Sequence, residues 1–284
     1  MSSSDWATHQ RAHIIQTNLH NTGHPTPPTP DQEFAIAALS TLTSSPSPDI
    51  PALTRTITAH LTSSAQPEDA WNTFHTLLLS LAQSTSSPTT HQNLASLLVS
   101  LAQSQTAAPE VTQLLNTLHG LGWSVRDLWN GPKAIGGPDP QRAWINLNRF
   151  MAYLSVQNRK TPVAALDDGW VEDFGMWTIC DGLESEDGFG DYVEAAAGWL
   201  EVAGREIWKD AKWGGRDGSG NGGREGGLWV RKRGEGGVRG EERWGFWRGR
   251  LEGMVAEGEK GEEEEGVKAA AGRAVEVMVA CERG

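Results

Sequence analysis

Apolar residues recur along most of this chain at spacings of three and four, with polar residues between them. That period predicts helices, because side chains three and four apart share one helix face. The pattern is clearest over 187–208, DGFGDYVEAAAGWLEVAGREIW, where Tyr192, Ala196, Trp199, Ala203 and Ile207 form a stripe flanked by Val193 and Leu200. Glu194, Glu201 and Arg205 fall on another face, and Glu201 and Arg205 are spaced for an i,i+4 ion pair. Asp187 or Asp191 is placed to cap the first turn, where open N–H groups need acceptors. The small residues Ala195, Ala196, Ala197 and Gly198 let a second helix approach closely. Aromatic residues at helical spacing are ordinary core, so the stretch reads as a packed central helix rather than a ligand pocket.

The same period marks the rest of the chain. Residues 5–20 predict a first helix with Trp6, His13, Ile14 and Leu19 on one side, and NTGHPTPPTP at 21–30 breaks it. Residues 1–30 therefore read as a polar N-terminal segment with a helix and a Pro-rich linker. Helices follow over 31–42, 50–61, 67–83, 88–103 and 109–119, the last ended by Gly120 and Gly122. LLLSLAQS at 77–84 returns as LLVSLAQS at 97–104. Two copies are too few for a repeat array, so these read as similar helices of an αα-hairpin. A short helix over 121–130 carries Leu121, Val125, Leu128 and Trp129 and stops at Gly131-Pro132. A long one over 138–158 carries Trp144, Leu147, Met151 and Leu154, with Asn146 and Asn148 as polar insertions. After a helical turn at TPVAAL, Asp167 or Asp168 is placed to cap a helix over 169–183. Residues 214–240, GGRDGSGNGGREGGLWVRKRGEGGVRG, read as a flexible Gly-rich loop whose Leu228-Trp229-Val230 island can dock. Helices over 241–255 and 267–281 close the chain, and no stretch shows β alternation. The expected fold is all-α: a multi-helix bundle of about ten helices with Pro-rich and Gly-rich loops. It occupies 31–281 as one helical domain, divided near 120–140 into an N-terminal helical-hairpin part and a Trp-rich C-terminal part.

Composition sharpens that division. There are thirteen tryptophans against two tyrosines, and most tryptophans follow residue 120. All eight histidines precede residue 120, and the first lysine is Lys133. The net charge of −12 favours solubility and argues against general nucleic-acid binding. Cys180 and Cys281 make no disulfide framework, no apolar run approaches a membrane span, and the first residues carry no secretory signal. An intracellular, cytoplasmic protein is the expectation.

No catalytic motif is recognisable. The C-terminal half lacks histidine, the commonest general base near neutral pH. His9/His13 and His20/His24 have i,i+4 spacing that suits a metal, but HEXXH is absent and solvated histidines are the simpler reading. The carboxylates Asp181, Glu184, Glu186, Asp187 and Asp191, and Asp167, Asp168, Glu172 and Asp173, are candidates for acid–base or cation chemistry, although the EF-hand spacing does not fit. Caps and solvated loops account for them more simply, so no metal site and no cofactor is assigned. Residues 229–250 carry Arg231, Lys232, Arg233, Arg239, Arg243, Arg248 and Arg250 among Trp229, Trp244 and Trp247, a combination suited to weak nucleic-acid contact through phosphates and stacking, although a mobile loop and a helix whose arginines pair with nearby acids are the simpler reading.

WINLNRFMAYL at 144–154, VEDFGMWTICDGLE at 171–184, DYVEAAAGWLEVAGREIW at 191–208, GLWV at 227–230 and ERWGFWRGRLEGM at 242–254 occur in one order. Over roughly 120–281 this resembles a family of uncharacterised filamentous-fungal helical proteins, a domain of unknown function. The resemblance implies a helical intracellular protein and transfers no reaction, cofactor or site residue. The function expected is a non-catalytic module binding a protein partner or a small ligand, with no membrane association. Its surface is placed at Trp144, Asn148, Trp177, Trp199 and Trp244, where aromatic helices should converge. A carboxylate-based enzyme or metal-binding protein is the alternative, and weak nucleic-acid binding through 229–250 a third.

Overall fold

The computed structural model describes residues 3–135, 137–167, 169–185, 190–212, 227–233, 240–256 and 262–284. The described residues are mostly helical and contain no strand. The α-helices are α1 (Ser3–Thr22), α2 (Pro30–Ser44), α3 (Ile50–Ser63), α4 (Pro67–Ser84), α5 (Pro88–Ala102), α6 (Pro109–Asn116), α7 (Leu121–Leu128), α8 (Pro140–Lys160), α9 (Ala164–Asp167), α10 (Trp170–Leu183), α11 (Gly190–Lys212), α12 (Gly227–Arg233), α13 (Gly240–Ala256) and α14 (Glu262–Arg283). Ten of these run fourteen residues or more. The protein is all-α, as its periodicity requires. It forms two compact units, one of residues 1–136 with 160–168, the other of 137–159 with 169–284.

In the first unit the prolines that break the chain also begin its helices. Thr29 Oγ1 accepts from the Gln32 N–H at 3.2 Å, Gln32 Oε1 accepts from the Thr29 N–H at 2.8 Å, and Pro30 opens α2. This reciprocal cap satisfies two donors that the helix cannot. Asp49 caps α3 through the Ala52 N–H at 2.8 Å, and Ser87 caps α5 through the Thr90 N–H at 3.2 Å. α2 packs chiefly on α4 and α3 on α5, so the two echoing helices take equivalent places. Ile36, Leu39, Ile57, Leu78, Leu94, Leu97 and Leu98 are fully buried between them. Each such side chain contributes about 1.5–3 kcal/mol. α1 lies on α2, with Trp6 buried and the Arg11 guanidinium donating to Glu33 at 2.7–3.0 Å.

The helix expected over 109–119 is shorter than its period suggests. α6 ends at Asn116, and Leu118 turns into the left-handed region with φ 45°. That conformation costs a non-glycine residue about 1–2 kcal/mol, and burying the Leu118 side chain offsets it. Gly120 then precedes α7 rather than closing α6.

In the second unit α11 is the central helix, packed on α14, α10 and α13. Ala195, Ala196 and Ala197 are completely buried, as are Ala270, Ala271 and Ala274 of α14. Two glycines of α10 hold close approaches to α11. A Cβ on Gly175 would lie 2.8 Å from the Trp199 ring, and one on Gly182 would lie 2.5 Å from the Tyr192 carbonyl oxygen. Two polar expectations are corrected here. Glu201 pairs with Arg149 and Arg273 rather than Arg205, because the neighbouring helices bring those guanidinium groups within reach. The cap position of α10 is Gly169 at φ 76°, not an aspartate: Asp167 ends α9, and Asp168 lies outside the described residues. The caps proposed for α11 also fall outside what is described, Asp187 entirely and Asp191 in its side chain. So does the Gly-rich stretch 214–240, apart from 227–233, which form α12, and Gly240.

Candidate functional site

The aromatic constellation read from the sequence lies in the second unit and is built around Asn148. α8 presents Trp144 and Asn148 one turn apart, and the Asn148 amide donates to the Trp144 carbonyl at 3.0 Å. Its oxygen accepts twice, from Thr178 Oγ1 of α10 at 2.9 Å and from the Trp199 indole N–H of α11 at 2.9 Å. One buried carboxamide thus ties three helices together, and the Trp199 ring lies across Gly175. Trp144 meets Tyr192 edge-on, with ring centroids 5.8 Å apart. Asn148, Trp144 and Trp199 are all 2 % exposed or less.

Trp177 and Trp244 stand in other surroundings. Trp177 is half-buried and packs edge-on against Phe174 at 5.2 Å. Trp244 is fully buried beside Trp208, and its indole donates to Glu282 at 3.0 Å. The structure therefore brings Trp144, Asn148 and Trp199 together as a closed, hydrogen-bonded core, with Trp177 and Trp244 in their own aromatic contacts.

Sequence reasoning missed a second buried cluster. Glu184, at the end of α10, is completely buried. Its Oε1 accepts from Arg243 Nε at 2.6 Å and the Trp247 indole at 2.7 Å, and its Oε2 from the other end of the Arg243 fork at 3.0 Å. Arg243 also donates to Cys180 Sγ at 3.0 Å and lies over the Trp247 ring. The Glu184 carbonyl accepts from the Leu228 N–H at 2.9 Å, so this residue anchors α12 as well as α13. A buried, bidentate ion pair with both carboxylate oxygens accepting hydrogen bonds is the form in which charge is tolerated inside a protein. Burial pushes the Cys180 thiol up to about 12, which makes it a poor nucleophile. The Trp229 island docks as its sequence suggested, 2 % exposed against Phe246.

The remaining candidates are dispersed. Glu172 accepts from Ser155 at 2.8 Å and faces Arg159. Glu186 and Asp187 lie outside the described residues. His9, His13, His20 and His24 are exposed, and the described residues contain no His/Cys/Asp/Glu group able to hold a metal. Within 229–250, Trp229, Trp244 and Trp247 are buried, while Arg243 and Arg248 pair with Glu184 and Glu282. Arg239 lies outside the described residues. No helix among the described residues is long and apolar enough to cross a membrane.

The first unit holds the feature that breaks the packing pattern. On α7, Leu121 and Val125 are buried, but Trp123 is 70 % exposed, the largest exposed apolar side chain among the described residues. Arg126, three residues on, places its guanidinium 5.5 Å from the centre of the Trp123 ring. α7 itself is held to α4 by Ser124, which hydrogen-bonds the buried His75 ring at 3.0 Å, while the Trp71 indole donates to the His119 carbonyl at 2.7 Å.

Fold and site together define an all-helical protein whose aromatic core is closed by its own polar groups. The chain belongs to the family described as Protein of unknown function (DUF3632), which it matches over residues 75–251. The match begins within α4, upstream of the resemblance seen from 120, and ends within α13, so it takes in α7 and the Asn148 core alike. No curated protein and no solved structure matches the chain.

Proposed function

We propose that this chain is a non-catalytic helical module that binds a protein partner, and that it does so inside the cell, where Cys180 and Cys281 stay as free thiols. Trp123 is the observation that carries the reading. An indole buries about 150–250 Å² when covered, and leaving most of it in water forgoes about 2–3 kcal/mol. Tryptophan and arginine are the residue types that most often dominate protein interfaces, and here they are stacked on one exposed helix face. The occupancy of the polar groups elsewhere supports the same reading over a small-ligand or carboxylate-enzyme function: Asn148, Glu184 and Glu172 are engaged by their own neighbours.

The test is site-specific photo-crosslinking in the native cell, with benzoylphenylalanine in place of Trp123 and, as control, in place of the exposed Thr56 of α3. A discrete adduct at 123 that is absent at 56 is the expected result. The same adducts at both positions, or none at 123, would remove the reading.

A further inference from the structure

We infer that the partner presents an acidic peptide segment, setting an apolar side chain on the Trp123 indole and a carboxylate on Arg126. The inference rests on the partner-binding reading and adds the chemistry of the partner. Trp123 and Arg126 are three apart, so both project from the face of α7 opposite the buried Leu121 and Val125. Six other arginines are held by acids: Arg11 with Glu33, Arg142 with Glu194, Arg159 with Asp210, Arg243 with Glu184, Arg248 with Glu282 and Arg273 with Glu201. Arg126 instead lies on an indole, and no described carboxylate closes on it. Its sequence neighbour Asp127 projects about 100° away around the helix. A chain with 36 acidic and 24 basic residues thus leaves a guanidinium open beside the most exposed of its described tryptophans. Arginine's planar fork matches a carboxylate with two parallel hydrogen bonds, and the ring beneath it supplies apolar contact for the adjoining residue. Nucleic acid is the less favoured occupant. Residues 1–136 hold eight Asp/Glu against four Arg/Lys, a net charge of −4 with histidine neutral, so a polyphosphate, charged at every residue, would meet repulsion along its whole length, whereas a peptide segment that sets a single carboxylate on Arg126 among apolar neighbours meets little.

The test pans a random heptapeptide display library against the full chain and measures the selected peptides by fluorescence anisotropy. Selected sequences should carry Asp or Glu beside an aromatic or aliphatic residue. Trp123→Ala and Arg126→Ala should each weaken their binding roughly tenfold or more, with Arg126→Lys retaining part of it. Both side chains are exposed, so the variants should melt as the parent does, which separates lost contact from lost fold. Selection of basic or uncharged peptides, failure to select any, or affinities within about twofold in either variant would overturn the inference. So would Trp123-dependent binding of a single-stranded oligonucleotide, or Trp123-dependent self-association in sedimentation equilibrium. If crosslinks at position 123 persist while these results fail, the partner-binding reading stands and the acidic class of partner falls.

Discussion

An asparagine inside a stripe of tryptophans is costly unless its amide is fully used, and Asn148 shows how that cost is met. Removing its side chain would orphan two buried donors, the Thr178 hydroxyl and the Trp199 indole N–H, and open a small void. An unpaired buried polar group costs about 1–3 kcal/mol. Asn148→Ala should therefore destabilise the fold by about 2–4 kcal/mol, read from urea unfolding, with a changed near-ultraviolet circular dichroism band as the Trp199 ring loses its anchor. A loss under about 0.5 kcal/mol would mean the amide does not bridge these helices. The importance of Asn148 is legible in the sequence, because a polar residue interrupts an apolar face there. Its partners are not, since Thr178 and Trp199 lie 30 and 51 residues away and only the relative register of three helices brings them in. The Glu184–Arg243 pair is hidden for the same reason, spanning 59 residues, and a glutamate at a helix end reads as solvated. Trp123 is half-legible: the row Leu121, Val125, Leu128 leaves it off the buried face, but an aromatic residue off one face is as readily covered by another element.

Among the elements, most helix starts are written in the chain. Ser, Thr or Asp beside Pro marks α2, α3 and α5, because side-chain acceptors and a fixed φ suit the first turn. Helix ends set by long-range burial are less visible, as Leu118 shows: its left-handed turn stops α6 where the apolar period continues. The attachment of α7 to α4 carries a pH signature. His75 is 2 % exposed, and burial, with His119 nearby as a second, smaller cause, lowers its pKa from 6.5 to about 4. Between those values the unfolded chain holds a proton that the folded unit excludes, so stability rises with pH across the window. The contribution is complete above pH 6.5 and is lost as pH falls towards 4. At 1.36 kcal/mol per unit it reaches at most about 3 kcal/mol. Urea midpoints should fall between pH 7 and 4.5, and His75→Gln should flatten that dependence. Equal slopes for parent and variant would show that other groups govern the acid limb.

At the scale of the molecule, the change in composition between 120 and 140 lies beside the division at Gly136–Gly137: every histidine precedes it, the first lysine, Lys133, falls just before it, and most tryptophans follow it. The return of residues 160–168 to the first unit has no signature in the period or the composition, because four residues of helix with Leu166 buried look like any short connector. Each unit has its own fully buried side chains: Ile36, Leu39, Ile57 and Leu98 in the first, Trp144, Phe150, Trp199 and Trp244 in the second. Separate cores predict separate responses to damage. Leu98→Ala removes buried aliphatic carbon from α5, at a cost of about 2–5 kcal/mol. In native-state hydrogen exchange it should speed the amides of α2 to α5 while leaving α8, α10 and α11 protected. Asn148→Ala should do the converse, opening α8, α10 and α11 and sparing α4 and α5. If either substitution lowered protection in both sets together, the two cores would open as one cooperative unit, and the division of the chain would be a matter of packing geometry without energetic consequence.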